Sequence, residues 1–256
     1  MLKLSLKDEP SMDEFRKTDT SSWEDIKESI KVRLVNKKSV NQYDPDIARK
    51  EMLDLAYTIS LQERDGDFIK SHMLTNEELK ELGVKFEEAF SEAVRNSDND
   101  RSKRLTSLRE SMMSKGNMLA PICDVPDGDQ PLMMHNPAMV LIHDLDENDK
   151  ENVLVLSNSK GVLGASLGML ESTLNEVYDR FKESFYIIPM SINEMMYIKE
   201  SYALKNGKKP RLYAEDDMLD MVETMNSGSN VSWKDILSYK IYLYDTDENA
   251  IIMIKR

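Results

Sequence analysis

The residue types most able to do chemistry sit just beyond an apolar run. Phe185-Tyr-Ile-Ile188 and Pro189 are followed by Ser191, Asn193 and Glu194, which bring a hydroxyl, an amide and a carboxylate into one short segment. A hydroxyl beside a carboxylate at a strand end suits nucleophilic or general-base chemistry. The same residue types also close tight turns by bonding to nearby backbone groups, and turn chemistry is the reading they favour. A second candidate lies upstream, where Asn158 leads through Gly161 and Gly164 from an apolar strand into a helix. Backbone amides at such a junction can cradle a phosphate. The chain has neither a GxGxxG nor a GxxxxGK[ST] pattern, so the two glycines are expected to let the helix lie close on the sheet. Asn158, Gly161, Gly164, Ser191, Asn193 and Glu194 stand as candidate binding positions, with no catalytic residue assigned.

Metal-ligand spacing fails on inspection. Asp144, Asp146 and Asn148, and again Asp245, Asp247 and Asn249, have the one-three-five spacing that opens a calcium loop. The sixth position, which needs glycine for the turn, is Asp149 or Ala250, and the twelfth, which needs a bidentate glutamate, is Val155 or Arg256. Both segments read as solvated hairpin turns. His72, His135 and His143 have no companion at ligand spacing, and Cys123 has no base beside it. No metal and no cofactor is expected.

These segments need elements to hold them. Trp23, Ile26, Ile30 and Leu34 recur at helical spacing behind Ser22, with Glu24 and Asp25 suited to a first turn, which predicts a helix over 22–35. Met52–Leu61 and Asp67–Leu74 flank an Asp65-Gly66 pair and predict a hairpin. Thr75 and Asn76 then cap a helix that Gly83 ends, and Phe86, Phe90, Ala93 and Val94 give a second helical face. A third helix is predicted over 100–114, with Leu105, Leu108 and Met112 inward and Arg101, Lys103, Arg104 and Arg109 on its solvated faces. After the Gly- and Pro-punctuated stretch 115–138, the pattern predicts strands at 139–145 and 153–156. A helix carrying Leu167, Leu170, Leu174, Val177 and Phe181 follows, then strands at 185–188 and 195–198. A helix at 214–226, a short one started by Ser232 and a hairpin at 239–244 and 250–254 close the chain.

The expected fold class is α+β, with antiparallel hairpins and helices packed on the sheet in two associated halves. Residues 1–21 are an N-terminal tail or short strand, 22–114 and 139–256 the two halves, and 115–138 an irregular connection. Leu74-Thr-Asn76 and Leu156-Ser-Asn158 each follow a hairpin and precede a helix, 82 residues apart. An old internal duplication explains that echo, and so do two junctions that each need a cap.

Composition narrows the partners. Of 256 residues 40% are hydrophobic, enough for a sizeable core. With 47 acidic against 34 basic side chains the formal charge is −13, which works against direct capture of nucleic acid through its phosphates. The single cysteine cannot form an internal disulfide, and the first residues lack the apolar stretch of a secretory signal. No run approaches the roughly 18 apolar residues of a membrane span. A cytoplasmic protein without membrane association is expected, its partner another protein.

Several segments together carry a resemblance: WEDIKESIKVRLVN at Trp23–Asn36, Met73-Leu-Thr-Asn-Glu-Glu-Leu79, Val153–Ala165, and Tyr186-Ile-Ile-Pro189 running into Ser191-Ile-Asn-Glu194. In this order, over most of 22–254, the chain resembles a domain-of-unknown-function family of uncharacterised proteins from anaerobic gut Firmicutes. Many members read Pro-Ser-Ser-Ile-His-Glu where this chain has Pro189-Met-Ser-Ile-Asn-Glu194. Asn193 thus replaces the imidazole that an acid–base role at this turn would use. The resemblance implies a context among accessory genes of mobile elements. The function expected is that of a non-enzymatic cytoplasmic binding or regulatory protein, a mobile-element accessory or inhibitor. The alternative is an enzyme using the Ser191/Glu194 turn near Gly161–Gly164.

Overall fold

The computed structural model describes residues 22–65, 68–100, 102–108, 110–111, 149–159, 163–205, 215–227 and 236–254. Outside them lie the tail 1–21, the connection 115–138, the strand expected at 139–145 with the Asp144, Asp146 and Asn148 turn, Cys123, His135, His143, Gly161 and the helix expected at Ser232. In chain order the elements are α1 (Trp23–Ile26), β1 (Ile30–Asn36), α2 (Lys37–Tyr43), β2 (Arg49–Met52), β3 (Leu55–Asp65), β4 (Phe68–Met73), α3 (Asn76–Glu81), α4 (Phe86–Asp98) and β5 (Lys103–Ser107). After the gap in description come β6 (Val153–Asn158), α5 (Glu171–Phe181), β7 (Phe185–Pro189), β8 (Met195–Lys199), α6 (Glu200–Lys205), α7 (Glu215–Asn226), β9 (Ile241–Asp245) and β10 (Ala250–Ile254). The fold is α+β, with helices packed on antiparallel sheet. One sheet has the order β1-β3-β2, with β4 also paired to β3, and the other runs β10-β9-β7-β8-β6-β5. The chain forms two compact units, whose described residues fall within 1–32, 46–49 and 58–97 for one and 33–45, 50–57 and 98–256 for the other.

In the first unit β3 and β4 form the expected hairpin, in register from Ser60↔Met73 to Asp65↔Phe68. The helix predicted over 22–35 is a single turn, α1, before the chain extends into β1. Ile30 and Leu34 fit helical spacing, but with Val32 they also alternate, and all three are buried. The period of two prevails because β-branched residues suit a pleated surface and the strand's backbone groups pair in a sheet. The end of α4 secures the turn: Ser97 Oγ accepts from Val32 N at 3.0 Å, and Asn96 Nδ2 donates to the carbonyls of Lys27 and Ile30 at 2.7 and 3.1 Å.

The second unit holds the six-stranded sheet. β5 takes the first part of the helix expected over 100–114, with Leu105 opposite Leu156 and Ser107 opposite Leu154, and helix begins only at Leu108, with Glu110 and Ser111 also helical. The run Met52–Leu61 is likewise broken by a turn at Leu53 (φ 58) and Asp54, which separates β2 from β3. Strands β6, β7 and β8 are apolar at nearly every position, unusual for antiparallel strands, because both faces of this sheet are covered. Val153, Val155, Tyr186, Ile188, Met196, Ile198 and Ile241 form one core with Met218, Leu219 and Val222 of α7. On the opposite face Phe185 packs against Phe181 of α5, Tyr197 and Tyr244, with ring centroids 5.0 to 6.0 Å apart. Full burial of each such side chain stabilises the fold by about 2 kcal/mol.

Candidate functional site

The candidate residues meet where the sheet passes into α5. The helix expected from Gly164 onward begins as a 3-10 turn, Gly164–Leu167, and α5 starts only at Glu171. Leu163, before that turn, has φ 57, a left-handed conformation that costs a side-chain-bearing residue about 1–2 kcal/mol. Asn193 holds it there: its Oδ1 accepts from Leu163 N at 2.9 Å. Ala165 N donates to Ile192 O at 3.2 Å. Gly164 lies so close that a Cβ on it would overlap the Asn193 carbonyl oxygen and press on the backbone of Ser157 and Asn158. Close approach, the reading the residue types favoured for Gly164, is what this position requires.

The turn from β7 to β8 is bonded mainly to itself. Met190 N and Ser191 N donate to Glu194 O at 3.1 and 3.2 Å, Glu194 N donates to Ser191 O at 3.4 Å, and Ser191 Oγ accepts from Asn193 N at 3.1 Å. The structure therefore brings Asn158, Gly164 and Asn193 together, with Ser191 and Glu194 in the same turn, each of these four polar residues half-buried. The Ser191 hydroxyl and the Asn193 amide oxygen are both engaged by main-chain N–H groups, which is turn chemistry rather than nucleophile activation. Nearby, Ser166 Oγ and Thr173 Oγ1 are buried without a hydrogen-bond partner among the described residues. The next peptide is clamped by two buried phenols: Tyr197 OH donates to Gly168 O at 2.8 Å, and Tyr57 OH accepts from Met169 N at 3.3 Å. Burial above all holds both phenols well above their ordinary pKa and hence protonated.

A second polar cluster escaped the sequence reading. Asp54 accepts from Ser238 Oγ at 2.6 Å and from Tyr242 OH at 2.7 Å, while Asn226 Nδ2 donates to Ser238 O at 2.9 Å and Asn36 Nδ2 to Leu237 O at 2.8 Å. Burial, then the Asp54 carboxylate, pushes the Tyr242 phenol far up, so it remains a donor. Ser238 points its proton at a carboxylate and, among the described residues, no imidazole takes part, so this network fixes the chain before β9 onto the Leu53–Asp54 turn. Its members are 184 and 188 residues apart, and no local pattern announces them.

The Asp245, Asp247 and Asn249 segment is the hairpin turn it was expected to be. Asp245 Oδ1 accepts from Asp247 N and Glu248 N at 2.9 and 3.2 Å, and Asn249, at φ 49, accepts from Tyr244 OH at 2.6 Å. Among the described residues no three His, Cys, Asp or Glu side chains gather closely enough to hold a metal ion, and no helix is long and apolar enough to cross a membrane. No curated protein and no solved structure matches the chain. A family model does match, over residues 2–246: the chain belongs to the family of unknown function DUF5688.

Proposed function

We propose that this chain is a non-enzymatic binding or regulatory protein of the cytoplasm whose partner is another protein, in keeping with an accessory or inhibitor carried by a mobile element of anaerobic gut Firmicutes. The observation that carries the reading is strand β10 at one end of the six-stranded sheet. Its sequence is Ala250-Ile-Ile-Met-Ile254, all five positions are partly or well exposed, and Ile252 is 43% exposed. Among the described residues, β9 alone pairs with it. Edge strands are usually blunted by charge, proline or a bulge, and one without these is a template for an added strand. Recovery of the native protein from its own cells, beside an Ile252→Lys variant, tests this: a stoichiometric protein partner is expected with the wild type and lost with the variant. Equal recovery with both would refute binding through this edge.

The enzymatic alternative at the Ser191/Glu194 turn has the proximity of Gly164 and Asn193 behind it. Against it stands the engagement of Ser191 Oγ and Asn193 Oδ1 by main-chain donors.

A further inference from the structure

We infer that the Leu53–Asp54 turn is a docking point, separate from the β10 edge, for a protein segment that presents an apolar side chain between carboxylates. As it stands the turn is costly. Leu53 has φ 58, a left-handed conformation that glycine or asparagine adopts far more readily, and the same leucine is 42% exposed. It is nonetheless held firmly: Asp54 O accepts from Lys37 N at 3.0 Å, and the Asp54 carboxylate accepts from Ser238 Oγ at 2.6 Å and Tyr242 OH at 2.7 Å. Strain that the surroundings enforce in this way concentrates at sites that bind.

Leu53 has a companion. Tyr239, next to Ser238, is 48% exposed, and the bond between Asp54 and Ser238 keeps the two neighbourhoods together. Charge then selects what this apolar pair meets. Lys38 follows Lys37 in α2, and Lys240 N donates to Ser238 Oγ at 2.9 Å, so both lysines are anchored within a few residues of that bond. Lys37 Nζ pairs with Glu51 and the Asp54 oxygens are taken by hydroxyls, whereas the Lys38 and Lys240 ammonium groups meet no carboxylate among the described residues. In a chain with 47 acidic and 34 basic side chains, two lysines without a carboxylate beside two exposed apolar side chains suit acids supplied from outside, around an apolar anchor. Nucleic acid would also bring anions, but two lysines hold few phosphates against a formal charge of −13.

Titration of the full chain against a labelled short peptide, one tryptophan between two runs of glutamate, tests this by fluorescence anisotropy. Binding with a Kd of about 100 μM at low salt is expected, and it should be lost when glutamine replaces the glutamates or alanine the tryptophan. Leu53→Asn should weaken it about tenfold while the midpoint of urea unfolding stays level or rises, since asparagine accepts the left-handed turn. Lys38→Glu with Lys240→Glu should weaken it by at least as much and remove its salt dependence. A peptide that fails to bind, one that binds Leu53→Asn or the glutamate variant as tightly as the wild type, or one that binds equally well without its carboxylates overturns the proposal. So does a urea midpoint that falls in Leu53→Asn, because the leucine is then held for the fold. A single-stranded oligonucleotide that binds tighter than the peptide replaces the protein segment with nucleic acid and overturns it too.

Discussion

Two strand-to-helix junctions are spelled almost alike, Leu74-Thr-Asn76 and Leu156-Ser-Asn158, yet they are held by different bonds. At the first, β4 passes directly into α3 through a reciprocal cap: Thr75 Oγ1 accepts from Glu78 N, and Glu78 Oε2 accepts from Thr75 N and Oγ1. Every partner in that reciprocal cap lies within three residues, and Asp46, from further back in the chain, adds acceptors for Asn76 N at 2.9 Å and Glu77 N at 3.2 Å. At the second, β6 is followed by a 3-10 turn, and the junction is completed from the far side of α5 by the turn between β7 and β8. Asn193 and Ile192 supply there what Thr75 and Glu78 supply at the first junction. The lesson is that where a helix start carries its own capping residues the distant contacts are supporting ones, whereas a junction without them depends on a distant turn to hold it.

The contrast breaks hardest at Gly164. Gly164→Ala drives a methyl group into the Asn193 carbonyl, backbone against backbone, where no side chain can rotate away. A loss of about 3 kcal/mol in urea unfolding is expected. Loss below about 1 kcal/mol would mean the β7–β8 turn gives way easily and is no rigid part of the junction. Asn193→Ala comes next: it leaves Leu163 N without its acceptor and removes what holds a left-handed leucine, at a cost of about 2 kcal/mol. Asn193→Asp keeps the accepting oxygen and should recover most of that loss. Equal losses for Ala and Asp would show that the hydrogen bond is not what Asn193 contributes.

This difference in bonding also explains what the sequence could reveal. The first junction was legible because its cap, its acidic first turn and the Asp65-Gly66 hairpin signal are all local. At the second, the residue types were found, but that Asn193 serves Leu163 across 30 residues was not, since no spacing rule links them. β1 and β5 were misread for a related reason. Ile30 and Leu34, or Leu105 and Leu108, satisfy a helical period in short windows, and only pairing with distant strands decides for extension. The Asp54, Ser238 and Tyr242 cluster, assembled across most of the chain, lay further still from any local signal. Thr75→Ala measures the legible case: loss of the bond its hydroxyl accepts from Glu78 N and the one it donates to Glu78 Oε2, at a half-exposed cap, should cost about 1 kcal/mol, less than Asn193→Ala. A larger loss would show that this cap also orients its helix on the sheet.

The smallest effect expected is a pH dependence confined to the first junction. Burial alone would raise the Glu78 carboxyl, but hydrogen bonds from His72, at 2.7 Å, and from the Thr75 backbone outweigh it and hold the group below its ordinary 4.5. A carboxyl depressed on folding contributes stability that is complete above the unfolded value and is lost as pH falls through the folded one. The contribution should therefore be intact from neutrality down to about pH 4.5 and fade below it. Solvent reaches this pair, so its size should stay below about 1 kcal/mol. Subtracting the urea stability of Glu78→Gln from that of the wild type, pH by pH, isolates it. The difference should be flat near neutrality and shrink only on the acid side. A difference that failed to shrink below about pH 4 would mean the ionised carboxylate is not the form this cap uses.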